Sequence, residues 1–339
     1  MMNPLKKIVR KVLAPILSKI QTLESIIQPL EFKIQTLESI IQPLESKIQT
    51  LAKDIEQNRI LLAQILIKEL CLKKDPVQLS EVEFKVFSQW GEDGIIQYLI
   101  ARVPIENKVF VEFGIEDYHE SNTRFLLMHD NWKGLVLDGN SSFIDKIKQS
   151  DLYWRHELTA INAFITKDNI NDLISTNGIL GDIGLLSIDI DGNDYWVWQA
   201  INVISPRIVI CEYNSVFGRN NPVSVPYGEQ FNRTVAHHSN LYFGASLKAL
   251  CLLGEQKGYV FVGSNSAGSN AFFVRKDFAL NVSAMDCQTG YVKSKFRESR
   301  NERGHLTYVS GNDRIKLIEN LRVIDVEQHN EKSVKDIIS

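Results

Sequence analysis

Hydrophobic spacing changes once along this chain. Between residues 20 and 65, apolar side chains return at alternating intervals of three and four. With Ile20 as position a, the a series is Ile20, Ile27, Ile34, Ile41, Ile48, Ile55 and Leu62; the d series is Leu23, Leu30, Leu37, Leu44, Leu51, Asn58 and Ile65. That is a heptad pattern, and it predicts a helix with one apolar seam. The sequence itself repeats every fourteen residues: Lys19 to Glu31 returns as Lys33 to Glu45, and a third copy opens at Lys47. Ile at a with Leu at d favours a parallel two-stranded coiled coil. Lys19 with Glu24, and Lys33 with Glu38, have the spacing of ion pairs between helices, and Asn58 is placed to pin the register. Pro15, Pro29 and Pro43 fall on outward c positions. Each removes a backbone donor, at roughly 3 kcal/mol, so a kinked or segmented helix is expected. The arm then serves either as a homo-oligomer seam or as short amphipathic helices folded on the domain behind it.

Past residue 80 the period shortens. Buried-strand patterns at 108–114, 134–138, 185–191 and 208–212, and a weaker one at 160–166, alternate with helical stretches. That alternation predicts a parallel sheet covered on both faces. Two late runs, 259–262 and 270–274, lie close together and read as an antiparallel pair closing one edge. Ser121 and Asn122 are expected to cap a helix through Phe125, Leu126 and Leu127. A further helix is expected at 312–321. The expected organisation is a basic amphipathic helix at 1–18, the heptad arm at 19–70, an α/β domain at 81–280 and a C-terminal extension at 281–339. Leu72-Lys73-Lys74-Asp75-Pro76 is the expected linker.

Composition narrows this picture modestly. With 339 residues, 44% hydrophobic content and a net charge of −3, the chain has the profile of a globular protein with one sizeable core. Nothing in that balance points to nucleic acid. The four cysteines show no paired spacing, which indicates a reducing compartment without a disulfide framework or zinc knuckle. Neither a membrane-spanning run nor a secretory leader is recognisable, so a cytoplasmic location is expected, and the Asn-x-Ser/Thr matches at Asn140, Asn232 and Asn281 are read as chance. The first helix sets Leu5, Ile8, Val9, Val12, Leu13, Ile16 and Leu17 against Lys6, Lys7, Arg10 and Lys11. That pattern suits peripheral contact with the inner membrane surface through residues 1–18, or simply the start of the coil.

Candidate chemistry gathers at strand ends. The 185–191 strand closes in Asp189, Asp191 and, after Gly192, Asp194. These acids repel one another unless a cation or proton separates them. They form a metal or acid/base site, or a turn that caps the following helix. Gly114 ends the first strand after Glu112, and Asp138 ends the second, 24 residues further on. An acid at the end of a second strand is well placed for a ribose hydroxyl pair. The full Gly-x-Gly-x-x-Gly fingerprint is absent, and acids replace the phosphate cradle. This suits a cofactor bearing an amino group and a sulfonium, S-adenosylmethionine rather than a dinucleotide. Asp189, Asp191 and Glu212, with Asn214 nearby, supply oxygen ligands for Mg²⁺ or another divalent cation. The competing reading pairs Glu212 with Arg207 or Lys248. His237 and His238 are candidate general bases, or exposed loop residues.

The chain resembles the FkbM-type family of class I S-adenosylmethionine-dependent O-methyltransferases. The carriers are Ser88-Gln89-Trp90-Gly91-Glu92-Asp93-Gly94, Val111-Glu112-Phe113-Gly114, Ser121-Asn122-Thr123, Gly134-Leu135-Val136-Leu137-Asp138 and Ser187-Ile188-Asp189-Ile190-Asp191-Gly192. Tyr242-Phe243-Gly244-Ala245-Ser246-Leu247, and the stretch from Lys257-Gly258-Tyr259 to Asn270-Ala271-Phe272-Phe273, continue the pattern. The match runs over roughly residues 84 to 280; Glu112-Phe113-Gly114 stands where Asp-x-Gly is usual. The resemblance implies a Rossmann-like doubly wound, mostly parallel α/β sheet. It places Glu112 and Gly114 at the methionine end of the cofactor and Asp138 at the ribose, with Asn122 and Asp189 completing the cofactor contacts. It implies methyl transfer to a hydroxyl, with a glycan or small-molecule acceptor and Asp189, Asp191, His237 and His238 as catalytic candidates. Two other readings stay open: a metal-dependent glycosyltransferase using Asp189-x-Asp191 with a nucleotide sugar, and a non-catalytic coiled-coil scaffold. The tail at 296–304 reads as a charged loop without assigned chemistry.

Overall fold

A computed structural model describes residues 4–73 and 78–337. Residues 74–76 of the expected linker, residue 77 after it and the first three residues of the basic helix lie outside the described residues, as do the side chains of Leu5, Lys6, Lys7 and Arg10. Two compact units result, residues 1–61 and 62–339.

The first unit is helix. α1 runs unbroken from Pro4 to Leu72 with Pro15, Pro29 and Pro43 inside it, so the expected segmentation does not occur. Each proline deletes one i to i−4 bond and crowds the preceding turn, while the turns on either side keep their bonds. Thr22, Thr36 and Thr50 donate their hydroxyls to the carbonyls of Ser18, Phe32 and Ser46. No helix among the described residues is long and apolar enough to cross a membrane.

In the second unit the strands are β1 (Val109–Phe113), β2 (Lys133–Asp138), β3 (Leu158–Asn162), β4 (Gly181–Ile188), β5 (Ile204–Glu212), β6 (Val223–Ser224), β7 (Tyr259–Ser264), β8 (Asn270–Arg275), β9 (Arg322–Asp325) and β10 (Asn330–Ser333). Seven of them form one sheet in the order β3-β2-β1-β4-β5-β8-β7. The first five in that order pair in parallel, and β8 pairs antiparallel with both β5 and β7. The doubly wound sheet with an antiparallel edge is thus as the strand pattern predicted.

Helices cover both faces: α2 (Glu92–Ile100), α3 (Arg124–Met128), α4 (Ser141–Gln149), α5 (Asp151–Arg155), α6 (Ile170–Ser175), α7 (Asp194–Ala200), α8 (Arg233–Ala236) and α9 (Leu247–Gln256), followed by short helices α10 (Cys287–Gly290) and α11 (Asp313–Lys316). Alternate residues of each strand enter opposite cores. Val111, Leu186 and Val209 pack with α6, α7 and α9, while Phe110, Leu185 and Ile208 pack with α2, α3 and α4. Burial on both faces is why these strands read as near-continuous apolar runs. The helix expected at 312–321 contracts to α11. The C-terminal stretch instead builds a small sheet, β10-β9-β6, over its own core of Phe217, Val223, Leu241, Ile318 and Val323.

The motif ahead of α2 is structural glue. Asp93 accepts the amide protons of Val86, Phe87 and Ser88, each at 2.8 Å, and the Ser88 hydroxyl. Glu92 accepts the side-chain amides of Asn265 at 2.7 Å and Asn270 at 2.9 Å, which ties the β7–β8 turn to the start of α2. Asp93→Ala strands three amide donors in a buried site. It is expected to lower the unfolding free energy by at least about 2 kcal/mol, read from urea titration of the purified protein.

Candidate functional site

The register of the sheet levels its strand ends. Asp138 lies beside Asn162, and Glu212 beside Asn270. Phe113 is partnered by Leu137 on one side and Ile188 on the other, and Ile188 by Cys211. One step further along each strand, Asp138, Gly114, Asp189 and Glu212 therefore stand in a row. A cavity of about 510 Å³ opens over this row, a size typical of small-molecule and cofactor sites. Its wall includes those four residues with Glu112, Asn122, Asp191 and Asn270. Ligand sites of open α/β sheets lie at this edge, where strand order reverses, and here the reversal is between β1 and β4.

Gly114 is required sterically. Its φ is +70°, and a Cβ there would sit 1.6 Å from the Asp189 carbonyl oxygen. The loop that follows holds Glu116 and Tyr118 at φ of 47° and 63°, a conformation non-glycine residues seldom adopt. Asp138 fixes that loop. One of its carboxylate oxygens accepts the Glu116 amide at 2.9 Å, and the other the Asn140 amide at 2.7 Å. A carboxylate has about four acceptor positions, so it retains capacity for a ligand.

Glu112 takes another role than a free wall residue. Its carboxylate accepts the Asn122 amide at 2.9 Å, the Thr123 amide at 3.2 Å, and the hydroxyls of Ser121 and Thr123. Burial pushes its pKa up, against the pull of those donors. Ser121 and Asn122 are thus not the helix caps the sequence suggested; α3 begins after Thr123. The Asn122 side-chain amide donates to Ser187 on β4 at 3.1 Å.

The three acids after β4 divide their work. Asp194 turns back and accepts the amides of Ile190 at 2.8 Å and Gly192 at 2.9 Å. It holds the turn and is pushed up to about 6, chiefly by burial. Asp191 sits in the left-handed region at φ 55° and bonds the Arg233 guanidinium at 2.7 Å. Asp189 stays in the row beside Glu212. Carboxylate oxygens of Asp189, Asp191 and Glu212 lie within 4.8 Å of one another. Burial, then the neighbouring Asp191 and Asp194 charges, raises Asp189 well above the carboxylate range. Burial, then Asp189 and Asp191, does the same for Glu212. Such a pair resists simultaneous ionisation. Oε2 of Glu212 is shielded from solvent with no hydrogen-bond partner. Of the suggested partners, Arg207 pairs with Asp182 at 2.7 Å instead.

Eight carboxylates and one guanidinium line the cavity. That guanidinium, Arg233, was not singled out from the sequence. It reaches Asp191, lies 3.6 Å from Glu298, donates to the Asn240 carbonyl at 2.7 Å and covers the Phe243 ring at 4.0 Å. Glu298 comes from the tail given no chemistry, and Phe231 adds an apolar wall. The available signal was an arginine one step after Asn232, which caps α8 by accepting the Val235 amide at 3.0 Å. His237 and His238 are not among the cavity-lining residues. Their ring centroids lie 4.2 Å apart with the planes tilted by 36°, and His237 bonds the Ser239 hydroxyl at 2.7 Å.

The sheet and the lip define a doubly wound α/β protein with an acidic ligand cavity at the C-terminal ends of its parallel strands. No family model matches the sequence, and no curated protein matches it. Solved structures similar to the chain include the N-terminal domain of EvdMO1, determined in the presence of SAH and D-fucose, at 12% identity over 62% of this chain and 94% of that one, with a TM-score of 0.37. A putative O-methyltransferase from Klebsiella pneumoniae is 15% identical over 65% and 99% of the two chains, with a TM-score of 0.36. A SAM dependent methyltransferase from Aquifex aeolicus is 9% identical over 59% and 97%, with a TM-score of 0.33. At these identities and scores the likeness assigns this chain neither a family nor an activity.

The steric constraint at the lip is testable. Gly114→Ala forces β1 and the Asp189 backbone apart and is expected to cost about 1–3 kcal/mol or more, seen as a fall in melting temperature. Gly139→Ala is the control: its Cβ would meet only Phe164, at 3.7 Å, and stability should stay unchanged.

Proposed function

We propose that the chain transfers a methyl group from S-adenosylmethionine to a hydroxyl of a sugar, in a glycan or a secondary metabolite, as the FkbM-type O-methyltransferases it resembles do. The observation that carries this reading is the composition of the lip. Gly114 gives a close backbone turn at the end of β1, Asp138 stands one strand away with acceptor capacity for a ribose diol, and the walls hold eight acids against one guanidinium already bound to Asp191. Such a field attracts a cofactor bearing an ammonium and a sulfonium and repels a diphosphate. It therefore favours S-adenosylmethionine over a nucleotide sugar.

In the transfer, the acceptor oxygen attacks the methyl carbon opposite sulfur, the carbon–sulfur bond breaks, and S-adenosylhomocysteine leaves. Holding the two reactants in line supplies much of the rate. The hydroxyl proton passes to the lip, where Asp189 is the central carboxylate; the two histidines lie off the cavity wall. Asp189, Asp191 and Glu212 also fit a hard divalent cation such as Mg²⁺, since their oxygens converge within 4.8 Å and one Glu212 oxygen lacks any other partner. When bound, such an ion lowers the pKa of an acceptor hydroxyl. Phe231 and Phe164 on the cavity wall offer apolar faces to a sugar ring.

Two measurements test this. S-adenosylmethionine should raise the melting temperature, and Asp138→Ala should weaken its binding at least about tenfold by calorimetry, the loss of one charge-assisted hydrogen-bonded pair. Stabilisation by a uridine diphosphate sugar with Mn²⁺, and none by S-adenosylmethionine, would overturn the reading. For the cation, chelation should depress turnover and added Mg²⁺ restore it, with Asp191→Asn abolishing calorimetric Mg²⁺ binding. Unchanged turnover under chelation removes the ion from the mechanism and leaves the carboxylates alone.

A further inference from the structure

α1 leaves its seam uncovered. From Ile20 to Leu51 every a and d residue is exposed, from 45% at Ile20 to 65% at Ile48. About 30 residues of helix present this stripe over about 50 Å, well past the patch size that soluble monomers leave open. A lone helix of this kind also lacks the tertiary packing that normally stabilises one.

We infer that this seam is occupied by a second copy of the chain, in a parallel, in-register, two-stranded coiled coil. The charges beside the seam select the partner and its direction. In a parallel pair each g residue faces the e residue five places on in the other helix. Lys19 then meets Glu24, Lys33 meets Glu38 and Asp54 meets Arg59, all of opposite sign. The remaining g residues up to position 54, Ile26, Ile40 and Lys47, meet Glu31, Glu45 and Ala52 without like charge. An antiparallel pair would set e against e, and there Glu24, Glu31, Glu38 and Glu45 would face one another. Ile at each a position from 20 to 55 and Leu at each d position from 23 to 51 fit two strands. Pro29 and Pro43 occupy c positions, outside the contact, and in-register packing sets each beside its own copy, so any local bend is shared. Asn58 meets Asn58, where a buried polar pair fixes register. The two 62–339 units leave the coil at the same end. This inference is independent of the proposed methyl transfer.

The test uses the full chain. Light scattering should give twice the mass of one chain at micromolar concentration. In a Cys71→Ser background, Leu23→Cys should form a covalent dimer under mild oxidation, because only parallel in-register strands bring position 23 to position 23. Lys19→Glu with Lys33→Glu should weaken association several-fold at low salt, and adding Glu24→Lys with Glu38→Lys should restore it. These are exposed positions, so the α/β unit should keep its melting temperature throughout. A monomeric mass, with or without binding to anionic vesicles, overturns the inference. So does a dimer that fails to cross-link at position 23.

Discussion

The site depends on one close approach. β1 ends beside β4 at the point where the sheet reverses its strand order, and Gly114 passes the Asp189 carbonyl with no room for a Cβ. That approach keeps the strand ends level, so that Asp138, Gly114, Asp189 and Glu212 form one edge instead of four separate termini. Everything polar at the lip is arranged around it. Asp138 restrains the loop leaving Gly114 through the Glu116 amide, and Glu112 restrains the 121–123 turn from below. The parallel pairing of β1 with both neighbours supplies the force; the glycine removes the only atom that would oppose it.

The second constraint is electrostatic. Buried carboxylates disfavour one another, and each must be answered by a donor, a cation or a proton. Glu112 is answered by backbone amides and two hydroxyls and Asp194 by the amides of its own turn, while the exposed Asp191 pairs with Arg233. Asp189 and Glu212 have the weakest local answer, which is why both are raised furthest from the carboxylate range. The fold has thus spent its donors on the acids that hold loops and left Asp189 and Glu212, two of the acids on the cavity wall, under-compensated. Under-compensated charge in a cavity is a binding property, because a cationic ligand relieves it.

The sheet was legible because its strands are buried on both faces and interrupted by glycines and acids at one end. The positions of Gly114, Asp138, Asp189 and Glu212 followed from that pattern alone. What was not legible was division of labour among neighbours. Asp189, Asp191 and Asp194 look alike in sequence, and only the turn at Gly192 shows that Asp194 turns back to hold that turn while Asp189 stays in the row. Ser121 and Asn122 have the composition of a helix cap, but a buried Glu112 takes their donors first, the stronger claim where a charge is involved. The prolines misled through the opposite error: a local cost was visible, and the continuity of the turns around it was not. Arg233 and Glu298 were missed because they reach the cavity from segments with no periodicity.

That last failure has a structural logic. A parallel sheet dictates what stands at its strand ends, so much of the cavity wall follows from strand register. Phe231, Arg233 and Glu298 come instead from the long connection after β5 and from the tail that follows β8, neither of which the sheet constrains. On the proposed reading, the strand ends hold the cofactor, whose shape does not vary, and these three residues face the acceptor. Arg233 joins them, bonded to Asp191 on one side and close to Glu298 on the other. It is held by a carbonyl and an aromatic face as well, so it is a fixed strut more than a mobile ligand. On that reading acceptor choice is written in the least periodic parts of the chain, where loops carry function on a rigid scaffold, and the sequence signal for the proposed substrate is weakest where it would be chosen.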